Sequence, residues 1–293
     1  MKLLVVGSNG QLGWEIVNAA KVCGLDCEGI DTPQFDLRGR DAVERTVGRE
    51  KFTLIVNAAA FTAVDKAESE HDEAFAVNAE GPRHLAYVCA KHRLPLIHIS
   101  TDYLFDGNKT SPYKESDPIS PINVYGQSKA AGEKAVRESL ETHVILRTSW
   151  LYSGHGNKFV KTILRLASER EELRVVAYQY GCPTYAADLA AVILDLAKQI
   201  RSRGSVQWGV YHYCGHGVTT WHAFAQKICQ LARRYQALPV KRIEAISTHQ
   251  YPTPAKRPPY SALDCSKIKS VFSIETRPWQ DSLADMLGRM FAG

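Results

Sequence analysis

Apolar runs at residues 3–6, 54–56, 96–99 and 144–146 punctuate the first half of the chain, interrupted only by His98. Runs of this length and kind are expected of strands buried on both faces of a parallel sheet. A further strand is read at 27–30. Between the runs, helical periodicity occupies 14–22, 70–92 and 123–140. Strand and helix therefore alternate, the pattern of an α/β doubly wound parallel sheet. Beyond residue 150 an amphipathic helix ends at Ala167, a strand covers 175–178, a helix runs through Lys198 and a polar loop spans 200–204. From Gly209 the pattern is less regular. A short strand at 210–213 precedes a helix capped by Thr219 or Thr220 and running to Tyr235, and 251–259 is a proline-rich loop.

The first strand runs into Gly7-Ser8-Asn9-Gly10-Gln11-Leu12-Gly13 and then a helix. Gly7 permits the tight turn, Gly10 lets the backbone approach a pyrophosphate, and Gly13 allows the helix to pack against the sheet. The helix N-terminus offers free N–H groups to the same anion. This is the sequence of a Rossmann dinucleotide site. The predicted division is a Rossmann domain of 1–152 plus about 175–204, and a smaller C-terminal α/β substrate domain of about 153–174 and 205–293. Asp31, ending the second strand, suits the adenosine ribose hydroxyls and would repel a 2′-phosphate, which tilts the cofactor towards NADH. Asp36 and Leu37 are placed at the adenine pocket. Ala58, Ala59 and Ala60 follow the third strand, where small side chains form a floor for a ligand.

Open α/β sheets bind ligands beyond their strand ends, so chemistry is expected at Ser100-Thr101. Tyr125 and Lys129, four apart in a predicted helix, share one face. A free phenol, with a pKa of about 10, is a poor acid at neutral pH. A nearby ammonium is expected to lower that value, with the Thr101 hydroxyl sharing a substrate oxygen. Such a set moves a proton on or off a carbonyl or alcohol oxygen. Trp150 at a strand end can stack on a sugar or pack in the core. Arg257, in the proline-rich loop, suits phosphate. Asn78 is a candidate brace for the Thr101 strand.

Composition narrows the class further. The chain has 293 residues, 45% of them hydrophobic, enough for a sizeable core. A net charge of +5 without blocks of like charge implies neither nucleic acid nor membrane surface as partner. Seven cysteines without CxxC pairs read as reduced thiols. Met1 leads directly into a strand, leaving no room for a signal sequence, and a cytoplasmic location is expected.

Several motifs together carry a resemblance: Asn57-Ala58-Ala59-Ala60 with Thr62 to Glu68, Ser100-Thr101-Asp102-Tyr103-Leu104-Phe105-Asp106-Gly107, Arg147-Thr148-Ser149-Trp150, Pro183-Thr184 with Asp188-Leu189-Ala190, and Gly209-Val210-Tyr211-His212. In this order they resemble the dTDP-4-dehydrorhamnose reductases, a branch of the extended short-chain dehydrogenases/reductases. The resemblance implies reduction of the 4-keto group of a dTDP-linked 6-deoxyhexulose by NADPH or NADH. It makes Tyr125 the proton donor and Lys129 its tuning partner and ribose ligand. Thr101 polarises the keto oxygen, Asp102 and Tyr103 touch the sugar, and Trp150 packs on it. Asn9, Gly10, Gln11 and Leu12 cover the pyrophosphate. Relatives of this type commonly carry Gly-Asn-Asn-Phe where this chain has Gly156-Asn157-Lys158-Phe159. Some form homodimers through carboxylates and Mg2+. Glu15 is a candidate, but Ala186-Ala187 lacks a matching acid, so no metal ligand is assigned.

Other functions share this fold. A sugar-nucleotide dehydratase carries an acid directly after the Thr-Asp pair, a place held here by Tyr103. An epimerase would show no net NAD(P)H consumption, and an accessory subunit would bind cofactor without oxidising it.

Overall fold

The computed structural model describes residues 1–156 and 159–292, so the Lys158 departure lies outside the described residues. Strands Asp26–Ile30, Lys2–Val6, Leu54–Asn57, Leu96–Thr101, His143–Thr148 and Gly209–His212 lie side by side in that order as one six-stranded sheet. Every pairing is parallel. Alternate side chains of these apolar strands feed opposite layers. Leu3, Val5, Leu54, Val56, Val144 and Leu146 pack on the helices Gln11–Val22 and Ala186–Arg203 through Leu12, Ile16, Leu189 and Ile193. Leu4, Val6, Ile55, Leu96 and Ile145 meet Val43, Val47, Leu85, Val88 and Val136 on the other side. Burial on both faces explains why the runs carry no polar alternation.

A separate core of Val160, Ile163, Phe224, Ile228, Leu283 and Leu287 joins three helices, Phe159–Glu169, Trp221–Ala232 and Trp279–Ala292, beside a parallel strand pair, Glu172–Val176 with Arg242–Ile246. Here the structure redraws the expected division. Gly209–His212, assigned to the smaller part, is an edge strand of the main sheet, with Tyr211 fully buried against Phe272. The strand read at 175–178 instead spans Glu172–Val176 and belongs with the second core. Strand partners are chosen by long-range pairing, which local pattern does not report. The loop read at 200–204 is helix to Arg203, because Ile200 continues the buried face and Gly204, at φ +70°, supplies the left-handed stop.

Two local details position the site. The segment read as one helix at 70–92 contains a π turn, Ala76–Glu80. There Asn78 bonds both backbone groups of Phe61 and donates to Ser128 Oγ at 3.0 Å, while Ser128 Oγ donates to Tyr125 O at 2.8 Å. Asn78 thus braces the Tyr125 helix, not the Thr101 strand. That helix, Val124–Ser139, is capped by Asn123, whose Oδ1 accepts from Gly126 N at 2.8 Å and whose Nδ2 donates to Lys256 O at 2.8 Å. Asn123→Ala removes both bonds, with an expected loss of about 1–2 kcal/mol by denaturant unfolding.

Candidate active site

The glycine turn is held by geometry that side chains would disrupt. Gly7 has φ +86°, and a Cβ there would lie 2.5 Å from Ala59 N, while one on Gly13 would lie 2.1 Å from Gly7 O. The helix beginning at Gln11 has Gly10 as its cap and no capping side chain, so its first N–H groups stay open. They open onto a cavity of about 780 Å³ that continues past Ala58, Ala59 and Ala60 to Thr101, Tyr125 and Trp150. A single chamber therefore unites the dinucleotide turn with the proton-transfer residues.

At its far end, Lys129 Nζ donates to Ile99 O at 2.7 Å, tying the Tyr125 helix to the carboxyl end of the Leu96–Thr101 strand. Thr101 Oγ1 donates to Asp102 Oδ1 at 3.1 Å and accepts from Tyr103 N at 3.2 Å. The Tyr103 and Tyr125 rings meet edge to face, with centroids 5.7 Å apart. Here the electrostatics depart from expectation. Burial raises the Tyr125 phenol to about 12, opposed by the Thr101 hydroxyl, and lowers Lys129 to about 8 against the pull of Glu133. Burial, with the nearby Asp102 carboxylate, outweighs the Thr101 hydrogen bond, and the Lys129 ammonium is turned to Ile99 O, so the phenol holds its proton at neutral pH.

Asp102 is raised to about 6, mainly by burial. A carboxyl with a folded pKa above its unfolded value binds more protons in the folded state, so stability falls as pH rises from about 4 to 6 and stays lower above that. A rise from 3.8 to about 6, at about 1.4 kcal/mol per pH unit, amounts to about 3 kcal/mol. Asp102→Asn is expected to stabilise the protein by about 2–3 kcal/mol at pH 8 and by little at pH 4, read by denaturant unfolding at both values.

Most other expected residues gather on this cavity. Asp31 lines it and accepts from Asn9 N at 2.8 Å and Thr32 N at 2.7 Å, fastening the glycine turn to the second strand. Asn9, Gly10, Gln11, Leu12, Asp36 and Leu37 line the same end, although Leu37 is also a core residue. Trp150 reaches the cavity through a strained φ of +46° and stacks flat on Trp221, with centroids 3.6 Å apart. Arg257 is placed differently. Its Nη2 donates to Asp65 Oδ2 at 2.7 Å and its Nη1 to Ala255 O at 2.7 Å, and it is not among the described residues lining the chamber. Asp65, in the first turn of the short helix Val64–Ala67, has captured the guanidinium that the proline-rich loop offered to phosphate.

Sequence reasoning missed Arg38, Glu73, Trp221, Phe224 and the Thr148 hydroxyl, all on the cavity wall. Trp221 carried one unused signal, since it directly follows the Thr220 cap and begins its helix at the chamber. The fit to a polar ligand has independent support. Gln11 Nε2, Ser100 Oγ, Asp102 Oδ2 and Thr148 Oγ1 are buried without a partner in the protein, and all four residues line the chamber. Buried polar groups of this kind call for hydrogen-bonding partners. Glu15, the carboxylate considered for magnesium, accepts from Ser153 Oγ at 2.6 Å. Among the described residues no group of three or more His, Cys, Asp or Glu side chains is arranged to hold a metal.

An open glycine turn leading by one chamber to Thr101, Tyr125 and Lys129 at the sheet's carboxyl edge defines a nicotinamide-dependent oxidoreductase of the short-chain type. The model of the RmlD substrate binding domain family matches residues 1–291. The chain belongs to that family. It is 41% identical over 287 residues to the dTDP-4-dehydrorhamnose reductase of Aggregatibacter actinomycetemcomitans, covering 97% of this chain and 98% of that protein. A crystal structure of a dTDP-4-dehydrorhamnose reductase from Clostridium acetobutylicum superimposes with a TM-score of 0.92 at 36% identity, covering 99% of both chains. The Bacillus anthracis dTDP-4-dehydrorhamnose reductase, solved in complex with NADP, gives 0.91 at 36% identity, covering 99% of this chain and 100% of that one.

Proposed function

We propose that this chain reduces the 4-keto group of dTDP-4-dehydrorhamnose to give dTDP-L-rhamnose, using NADH or NADPH in the cytoplasm. One observation carries the reading: Thr101, Tyr125 and Lys129 stand at the end of the chamber that begins at the glycine turn. Bound reduced nicotinamide supplies the hydride. Gly7 to Gly13 and the open helix N-terminus hold the pyrophosphate, Ala58 to Ala60 floor the site, and Asp31 addresses the adenosine ribose.

The protein's own task is the proton. Tyr125, with its phenol held up at about 12, enters the reaction protonated and gives its proton to the sugar oxygen as negative charge develops there. Thr101, rotating its one hydroxyl proton away from Asp102 Oδ1, donates a hydrogen bond to that oxygen. Lys129 stabilises the phenolate that remains and binds the nicotinamide ribose. Asp102 and Tyr103 orient the sugar, and the Trp150 face, backed by Trp221, packs on its ring. Arg257, held by Asp65 and Ala255 O, lies near Tyr103 and helps to place it.

The test is incubation of the protein with dTDP-4-dehydrorhamnose and reduced cofactor. One NAD(P)H consumed per dTDP-rhamnose formed supports the reading. Conversion without net oxidation points to an epimerase. Cofactor binding without oxidation by any nucleotide-linked keto sugar points to an accessory subunit.

A further inference from the structure

At the adenosine end of the chamber the two basic and acidic inventories are unequal. Arg38 and Lys129 are the only Lys or Arg side chains among the described residues lining the cavity, and Lys129 belongs to the opposite end. Arg38 is not free. Its Nε and Nη2 form a fork onto Asp36, at 3.0 and 2.7 Å, and its Nη1 bonds both oxygens of Glu73, at 3.0 and 2.8 Å. Glu73 comes from the helix His71–Phe75, far from Asp36 in sequence, so the clasp exists only in the folded chain. Asp31 stands on the same wall with both carboxylate oxygens accepting backbone N–H groups. Three carboxylates, Asp31, Asp36 and Glu73, thus share this wall with one guanidinium, and the formal charge is −2.

An arginine near the ribose ordinarily accommodates the 2′-phosphate of NADP, and an acid accepts the 2′-hydroxyl of NAD. Here an arginine is present but occupied. A phosphate with a charge of about −1.5 to −2 would enter a net negative wall and would have to compete with two carboxylates for the guanidinium. We propose that Glu73 and Asp36 sequester Arg38, so that with Asp31 they make this chain select NADH over NADPH. The proposal rests on the reductase reading above and adds the cofactor's identity. Glu73 acts through Arg38 and is a positioning residue. The side chains are about half exposed, so the discrimination is moderate and sensitive to salt.

The test needs no sugar: wild-type protein is titrated with NADH and with NADPH, following nicotinamide fluorescence. NADH is expected to bind about tenfold more tightly, with the gap narrowing as salt is raised from 0.05 to about 0.5 M, since screening weakens repulsion. Asp36→Asn with Glu73→Gln frees Arg38, and the preference should shift at least about tenfold towards NADPH. Arg38→Ala in the wild-type background should weaken NADPH no more than NADH. NADPH binding as tightly as NADH to the wild type, or a salt-independent ratio, would overturn the proposal even if the double variant failed to fold. Binding of neither cofactor would overturn the reductase reading as well, whereas binding without sugar turnover would touch only the sugar assignment.

Discussion

Tyr125→Phe lowers kcat by about a thousandfold while the Kd for reduced nicotinamide stays within about twofold, within the range general acid catalysis supplies. The substitution removes one oxygen and keeps the ring, so the edge-to-face contact with Tyr103 survives. Stopped-flow turnover and fluorescence titration separate the two quantities. A loss below tenfold would mean that another group delivers the proton. The pH dependence in the parent enzyme has a defined sign. Lys129, lowered to about 8 by burial, loses its charge above that value and with it the support for the phenolate. Activity should fall as pH rises through about 8, whereas the phenol, held up at about 12, imposes no loss in that range.

Glu133→Gln is expected to cost about 3–5 kcal/mol of stability, the largest effect of any single change away from the chamber. Arg147 and Glu133 are 2% and 0% exposed in their side chains and form a bidentate pair at 2.7 and 2.9 Å. Removing the carboxylate strands the guanidinium, which is stacked over the Phe105 ring, inside the protein. Replacing both partners, with Glu133→Leu and Arg147→Met, should recover much of the loss, because a buried pair can be exchanged for apolar volume. Urea unfolding of the three variants measures this. The single variant has a second consequence. Glu133 sits one turn beyond Lys129 and favours its charged form, so the fall in activity should move to lower pH.

The alternation of apolar runs and helices announced the parallel sheet, because strands buried on both faces leave a mark in composition that needs no tertiary knowledge. Tyr125 and Lys129 were equally legible, since four residues of helix place them together whatever else folds around them. What stayed hidden depends on distant partners. Gly209–His212 reads as an ordinary short strand, and only pairing with His143–Thr148 makes it part of the main sheet. Arg257 looked available until Asp65 was found across from it. The Arg38 clasp required Glu73, from a different helix. The upward shift of Tyr125 is hidden for a related reason: helix spacing shows that a lysine is one turn away, but not how deeply the phenol is buried.

The chamber wall draws on two distinct hydrophobic clusters. Leu12 and Ala58 belong to the cluster around the main sheet, while Phe159 and Phe224 belong to the helical cluster of the second part. Any molecule long enough to reach from the glycine turn to Trp221 bridges these halves and works as a removable rivet. Occupancy should then raise the melting temperature of both parts together, so that the enzyme is firmest while it is working and loosest between turnovers.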